Sequence, residues 1–313
     1  MKFANVVLGL LVLSLGCSAL GENQWYFDLF SHFMLQYAAL ALLLAIYFRS
    51  KKQKYKTSIS VLCLLYAGLM LINVVDHRAP MVKNAKPDER IRIFEFNAAG
   101  NVHVLKNWLP VHSGEFDVVV LLEANLSFPE LFETLKTRFP YQVVHLENSP
   151  FGIAVLSRWE ITDSKEFQSE GGSFPQYEMK IKRPLGDEFL LYAIHAPPPF
   201  APQLAAAQEA VYGELIEKLH QKKFPAVVVG DLNSSPNGHR FLRLLNDGGL
   251  RDTAGISPWA HTWPSHIVNY VSFFGIRLDH CLVSNTFVLA ERERLTDLGS
   301  DHLPVKCLLQ MEK

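Results

Sequence analysis

Two kinds of apolar patterning divide the chain. Positions 29–48 and 57–75 run for twenty and nineteen residues without a formal charge. At about 1.5 Å per helical residue, each covers roughly 30 Å of hydrocarbon. A shorter apolar run, 6–20, follows Lys2 and reads as a first span, with a signal peptide cut near Ala19 or Gly21 as the alternative. After Val75 the pattern changes. Positions 76–89, with Pro80 and Pro87, read as a polar linker. Beyond it, short apolar runs alternate with polar turns: 90–97, 117–123, 152–157, 177–181, 188–195, 226–230, 277–284 and 304–309 have the length and composition of strands. The clearest helix is 203–221, where Leu204, Ala207, Val211, Leu215 and Leu219 step along one face. Many strands with a few helices predict a layered α/β domain over 90–313, behind a membrane anchor over 1–75.

Composition agrees with a folded chain: of 313 residues, 49% are hydrophobic and 19% charged. The net charge of −1 hides an asymmetry. Residues 1–75 hold six bases against two acids, which leaves 24 bases and 29 acids for the remainder. An acidic globular part repels polyanions at long range and disfavours avid non-specific nucleic-acid binding. Five of the bases lie within 49–56, between the second and third spans. Such a loop stays cytoplasmic, so the third span delivers everything after Val75 to the far side of an inner membrane. The bland alternative, core helices of a soluble protein, fits poorly with two long apolar runs around a basic loop. Cys17 and Cys63 lie in apolar runs, and Cys281 and Cys307 in strand-like ones. Two buried thiols are the default for the latter pair, and a disulfide stays open.

Chemistry collects where the strands end. Asn97 closes the first, Glu123 the second, His195 a later one, and Gly-Asp-Leu-Asn (230–233) the next; Leu-Asp-His (278–280) opens another, and Ser-Asp-His (300–302) precedes the last. A lone carboxylate after a strand is usually a turn residue, and a lone histidine usually structural. Six such ends in order are a different matter. Glu123, Asp301 and the Asn97 amide oxygen are hard donors that suit Mg²⁺ or Mn²⁺. The two histidines and two further aspartates can form His–carboxylate pairs that hold phosphate oxygens or move protons. This inventory suits metal-assisted hydrolysis of phosphate esters, and no Walker loop or Gly-x-Ser-x-Gly elbow competes with it.

Phe-Glu-Phe-Asn (94–97), Val-Val-Leu-Leu-Glu (119–123), Ala-Ile-His (193–195) and the three later motifs stand in the order of the endonuclease/exonuclease/phosphatase superfamily, which the chain resembles over 90–310. Three spans before such a domain, with His-Ala-Pro-Pro-Pro (195–199) and Thr-Trp-Pro (262–264), are similar to a membrane-bound bacterial branch of it. The resemblance implies a four-layered α/β sandwich, the DNase I-like fold. It implies Glu123 as principal metal ligand with Asn97 and Asp301, His195 paired with Asp231, and His302 paired with Asp279. Asp231 is alternatively the base for water, Asn233 orients water or a phosphate oxygen, and Arg158 of Leu-Ser-Arg (156–158) lies near the phosphate. Leu122 stands where many members have Gln and Ile194 where several have Thr, which bears on support of the reacting groups or on substrate choice. His280 is expected to pack, while His261, Trp263 and His266 sit in a variable loop that either touches substrate or does not. A metal-dependent phosphodiesterase of nuclease type is the leading expectation. The alternatives are a lipid or inositol-phosphate esterase and an inactive binding module.

Overall fold

The computed structural model describes residues 1–83, 89–168 and 174–312. Helices α1 (Lys2–Ala19), α2 (Trp25–Asp28), α3 (Met34–Ser50) and α4 (Lys54–Asp76) come first, with a 3-10 turn, Leu29–Phe33, joining α2 to α3. Three stretches, Lys2–Ala19, Trp25–Ser50 and Lys54–Asp76, are long and apolar enough to cross a membrane. They pack on one another through Leu11, Leu15, Phe48, Cys63 and Ala67, yet Leu13, Leu43, Leu62 and Leu69 point outward and stay exposed. The bundle is thus apolar on its outside as well as its inside.

The rest of the chain forms two six-stranded sheets. One takes β1 (Arg90–Asn97), β2 (Val118–Leu122), β3 (Tyr141–His145), β4 (Ile153–Ser157), β11 (Phe287–Arg294) and β12 (Val305–Met311), in the order β11-β12-β1-β2-β4-β3. The other takes β5 (Glu160–Phe167), β6 (Gln176–Lys182), β7 (Glu188–His195), β8 (Ala226–Asp231), β9 (Leu250–Asp252) and β10 (Asp279–Ser284), in the order β5-β6-β7-β8-β10-β9. Both are mixed, with a central parallel pair, β1 with β2 and β7 with β8. Helices α5 (Leu105–His112) and α6 (Pro129–Leu135) lie beside the first sheet, α7 (Pro202–Gln221) and α8 (His239–Gly248) beside the second, and the short α9 (Ser265–Val268) in a loop.

The layering follows from a period of two. Ile91, Ile93, Val118 and Val120 face Leu191, Val227, Val229 and Cys281 in the core between the sheets. Phe94, Phe96, Val119 and Leu121 face outward into a second core that includes Leu105 and Leu131. Tyr192, Val228 and Leu282 do the same toward Val211, Leu215 and Phe241. The result is the four-layered α/β sandwich. The same alternation decides which strand-end groups meet. Asn97, His195, Asp231 and Asp279 share the inward parity of their strands, so all four emerge at one end of the space between the sheets. His280 has the outward parity and packs its ring against Phe241, 4.5 Å away, with Nε2 2.8 Å from the Ser234 carbonyl.

Two expectations need correction. The 76–89 stretch is not a free linker throughout: Arg78 bridges to Asp252 of β9 and Met81 to Leu289 of β11. Residues 84–88 of it lie outside the described residues. Four strands were also not foreseen, β3, β5, β9 and β11, and all four are sheet edges.

Asp252 and Arg277 form an ion pair in which each side chain is 1% exposed. Burial pushes Asp252 up, but Arg277, His280 and Arg292 outweigh it and hold the carboxyl below its ordinary value. Its contribution to stability is therefore present above about pH 4 and is lost as pH falls through the depressed folded value. Replacing Arg277 by Met leaves a buried carboxylate without its cation and should cost about 3–5 kcal/mol in denaturant unfolding. A loss below about 1 kcal/mol would contradict this account of the pair.

Candidate active site

Strained turns deliver the side chains. Glu123, immediately after β2, has φ +54°, and Asn233, two residues past β8, has φ +48°. Left-handed backbone at non-glycine residues is costly and concentrates where a side chain must be aimed. Gly230 shows why Gly-Asp-Leu-Asn begins as it does. Its φ is +140°, and a Cβ there would stand 2.0 Å from the Ile194 carbonyl oxygen of the neighbouring parallel strand. Only glycine lets β8 approach β7 closely enough to set Asp231 opposite His195.

Asn97 ties the two sheets together. Its amide nitrogen donates to Glu123 Oε1 and to Asp231 Oδ2, both at 3.1 Å. Its oxygen accepts from the Ala99 N–H at 3.1 Å. The expected amide-oxygen donor to a cation is thus turned away from Glu123, and in this arrangement Asn97 is a bridge between carboxylates. Ser300 donates to the Asn97 carbonyl at 2.7 Å and accepts from the His302 N–H at 3.1 Å, which fixes the last loop against β1.

His302 is the hub. Its Nδ1 lies 2.9 and 3.1 Å from the two Asp279 oxygens, and its Nε2 3.6 Å from Asp231 Oδ2. Asp231 and Asp279 are direct cross-strand partners, and two anions so placed repel each other unless a cation stands between them. Burial alone would lower the His302 imidazole, but Asp279 and Asp231 outweigh it and push it up to about 10. Burial pushes Asp231 up to about 7 against the pull of His302. For Asp279 the charge and hydrogen bond of His302 outweigh burial and hold it down.

His195 behaves differently from the expected partner of Asp231. Its Nε2 is 3.8 Å from Asp231 and 3.9 Å from Glu123, too far for a hydrogen bond to either. Burial and the His302 charge push it down to about 4, so it is neutral at ordinary pH. The two-pair picture becomes a row, Asp279–His302–Asp231, with a neutral imidazole beside it. Asp301 is exposed and accepts from Trp263 Nε1 at 3.2 Å. Asn233 donates to the Ala196 carbonyl at 2.9 Å, and its backbone N–H donates to Asp231 at 2.8 Å.

Arg158 is not at this site. Strand β4 runs antiparallel to β2, so its first residue, Ile153, pairs with Leu122 and its last, Ser157, with Val118. Arg158 therefore emerges at the opposite end of the sheet, where it pairs with Asp117 at 2.9 Å.

Sequence reasoning missed three supports and one oddity. Gln176 clamps the His195 backbone, accepting from its N–H at 2.7 Å and donating to its carbonyl at 2.9 Å. Tyr212 and Gln208 of α7 donate to the Leu232 carbonyl at 2.6 and 3.3 Å and so hold the 231–233 turn. Glu95, one inward step before Asn97, is buried with both oxygens unpartnered. Burial, with Asp279 and Asp231 nearby, pushes it well above the usual carboxylate range. Its signal was legible, because it is an acid at the inward parity of an apolar strand.

The open groups line one cavity of about 700 Å³, bounded by Glu123, His195, Asp231, Asn233, Asp301 and His302 on its polar side. A family model described as the endonuclease/exonuclease/phosphatase family matches residues 94–302. No curated protein matches the sequence. Solved structures with the same fold include an endonuclease/exonuclease/phosphatase from Beutenbergia cavernae, 18% identical, with a TM-score of 0.58 over 72% of each chain. They include the Bacteroides thetaiotaomicron mannosyl-6-phosphatase Bt3783, 19% identical, with a TM-score of 0.53 over 70% of this chain and 99% of that one. A third is Danio rerio TDP2 complexed with single-strand DNA product, 12% identical, with a TM-score of 0.56 over 72% of this chain and all of that one. With the family match spanning the strand ends that build the cavity, this chain belongs to the endonuclease/exonuclease/phosphatase family.

Proposed function

We propose that the protein is a membrane-anchored, divalent-metal-dependent hydrolase of phosphate esters. The observation that supports this best is the Asp279–His302–Asp231 row, whose His302 and Asp231 line one cavity with Glu123. Solved relatives in fold include a mannosyl-6-phosphatase and a TDP2 bound to a DNA product, so the fold itself leaves the ester open.

The donor chemistry fits a hard cation. Glu123 and Asp301 offer oxygens on the cavity side, and burial raises Glu123, which is what an unneutralised carboxylate does in such a place. A second grouping, Asp231, Asp279 and His302, brings its donor atoms within 4.8 Å of one another. There the imidazole already serves as the cation, so we assign the metal to Glu123 and Asp301. Mg²⁺ or Mn²⁺ held there would polarise a phosphoryl oxygen and offset negative charge. His302, kept cationic by Asp279, faces the charge that develops on phosphorus-bound oxygens as one P–O bond forms and another breaks. Asp231 accepts the proton of the attacking water, its raised pKa suiting a base near neutrality. Neutral His195 and the Asn233 amide orient water and phosphate. Hydrolysis then adds one water across one P–O bond, leaving an alcohol and a phosphate with one more hydroxyl.

The full-length protein in a maltoside detergent should hydrolyse bis(p-nitrophenyl) phosphate or p-nitrophenyl phosphate. Chelator should abolish this activity and Mg²⁺ or Mn²⁺ should restore it. Activity that survives exhaustive chelation would remove the metal from the reading.

Orientation belongs to the same proposal, as does membership of a membrane-bound bacterial branch. The basic 49–56 loop joins α3 to α4, at the end of the helical module away from Ser18, Asp28 and His77, which touch the sandwich. With that loop cytoplasmic, the sandwich is extracytoplasmic. Alkaline phosphatase fused after Lys313 should be active, and a reporter that works only in the cytoplasm should be silent there. The reverse pattern would invert the topology.

A further inference from the structure

We propose that the cavity takes a lipid phosphate ester, with the phosphate on the carboxylate–imidazole side and the hydrocarbon chain leaving along an apolar wall into the bilayer. This rests on the phosphoesterase reading and specifies its substrate class.

The rest of the lining is largely apolar and comes from two sources. The sandwich contributes Phe151, Phe200 and Leu204, and the helical module contributes Leu29 and Phe33. Leu29 and Phe33 belong to the 3-10 turn that runs directly into α3, inside the second stretch long enough to cross a membrane. A ligand against them therefore lies where that helix begins, at the level of a membrane surface. The wall is tied to the site on both sides. Asp28 accepts from the His239 N–H at 2.8 Å, and His32 Nδ1 accepts from the Ser235 N–H at 3.1 Å, two residues past Asn233. Gln36 of α3 donates to the Phe273 and Gly275 carbonyls at 2.8 and 3.0 Å.

Exposed aromatics carry the apolar character beyond the lining, which itself includes Phe200. Phe200 is 74% exposed, Tyr270 87% and Phe274 64%. The last two flank or belong to the loop that Gln36 holds against α3. Large exposed aromatics on a loop bonded to a helix that spans a membrane sit well in the headgroup region and poorly in water. Among the described residues that line the cavity there is no lysine or arginine. A nucleic-acid strand is held by rows of such residues along its phosphates, and a sugar phosphate leaves the apolar wall without a partner. A single phosphate attached to hydrocarbon uses both halves of the cavity.

The test uses the full-length chain in dodecyl maltoside micelles, which carry no phosphate of their own. Phosphatidic acid and phosphatidylglycerol are the long-chain monoester and diester. Glycerol 3-phosphate, glycerophosphoglycerol, mannose 6-phosphate and a short oligonucleotide are chain-free comparisons, and bis(p-nitrophenyl) phosphate and p-nitrophenyl phosphate report the bare chemistry. We expect kcat/KM for at least one long-chain lipid to exceed its chain-free headgroup by at least about tenfold. In Phe33→Ser and Phe200→Ser the ratio of lipid to bare-chemistry activity should fall by a similar factor, and Phe33→Leu and Phe200→Leu should recover it. Hydrolysis of either nitrophenyl ester without preference for long-chain lipid, or with preference for the sugar phosphate or oligonucleotide, overturns the lipid assignment and leaves the phosphoesterase reading standing. Failure on every ester overturns both.

Discussion

His302→Ala should lower kcat/KM for a phosphate ester by about 10²–10⁴-fold, and adding Asp279→Ala should cost little more. The reason lies in the row of groups. His302 bonds both Asp279 oxygens through Nδ1 and turns Nε2 toward Asp231, so Asp279 acts on the reaction through the imidazole that it orients and keeps charged. Groups that act as one unit are non-additive when removed. Asp279→Asn retains a shape that can accept from Nδ1–H but removes the charge, and it should recover part of the loss. The measurement is a double-mutant cycle in kcat/KM on the full-length protein, with unfolding followed in parallel. Strict additivity would mean that His302 and Asp279 are not a pair.

Glu123→Gln should raise the Mg²⁺ or Mn²⁺ concentration needed for activity by more than the roughly 10–100-fold that loss of an outer partner of a metal ligand costs. Glutamine keeps an oxygen to accept from the Asn97 amide, which now bonds Glu123 at 3.1 Å, so that bond survives while the negative charge goes. Asp301→Asn should act in the same direction. Trp263 holds Asp301 from the side, and Trp263→Phe should therefore weaken metal use less than Asp301→Asn. Calorimetric titration of the metal alone separates binding from chemistry. Unchanged affinity in Glu123→Gln would move the metal elsewhere in the cavity.

The sandwich was legible where strands are paired along both edges. The eight runs read from the sequence correspond to β1, β2, β4, β6, β7, β8, β10 and β12, and each has a neighbour on either side. The four missed strands are the edges, and β5 shows why. Glu160, Thr162, Asp163, Ser164, Lys165 and Glu166 are exposed on it, so its residues carry no apolar alternation to read. The candidate site was legible for a related reason. Period-two parity carries a strand's facing direction to its final residue, and this brings Asn97, His195, Asp231 and Asp279 together. It fails for Arg158, because the direction in which β4 runs depends on pairing that a linear reading does not contain. Distances were beyond reach as well. Nothing in the spacing of His195 and His302 reveals that the second bonds Asp279 and stands nearer Asp231, and leaves the first neutral.

The hydrogen bonds from Asp28, His32 and Gln36 to the sandwich set a mounting height. A catalytic domain on a loose tether sweeps a hemisphere and meets targets at many distances from the surface to which it is attached. With the three helices embedded as proposed, this one is bolted down, and its reactive groups stand at one fixed distance from the hydrocarbon boundary. Inserting a turn of helix before Met34 would shift that height by about 5 Å without changing any reacting group. A phosphate presented much farther out, on a long polymer or a bulky glycan, would pass above the opening untouched.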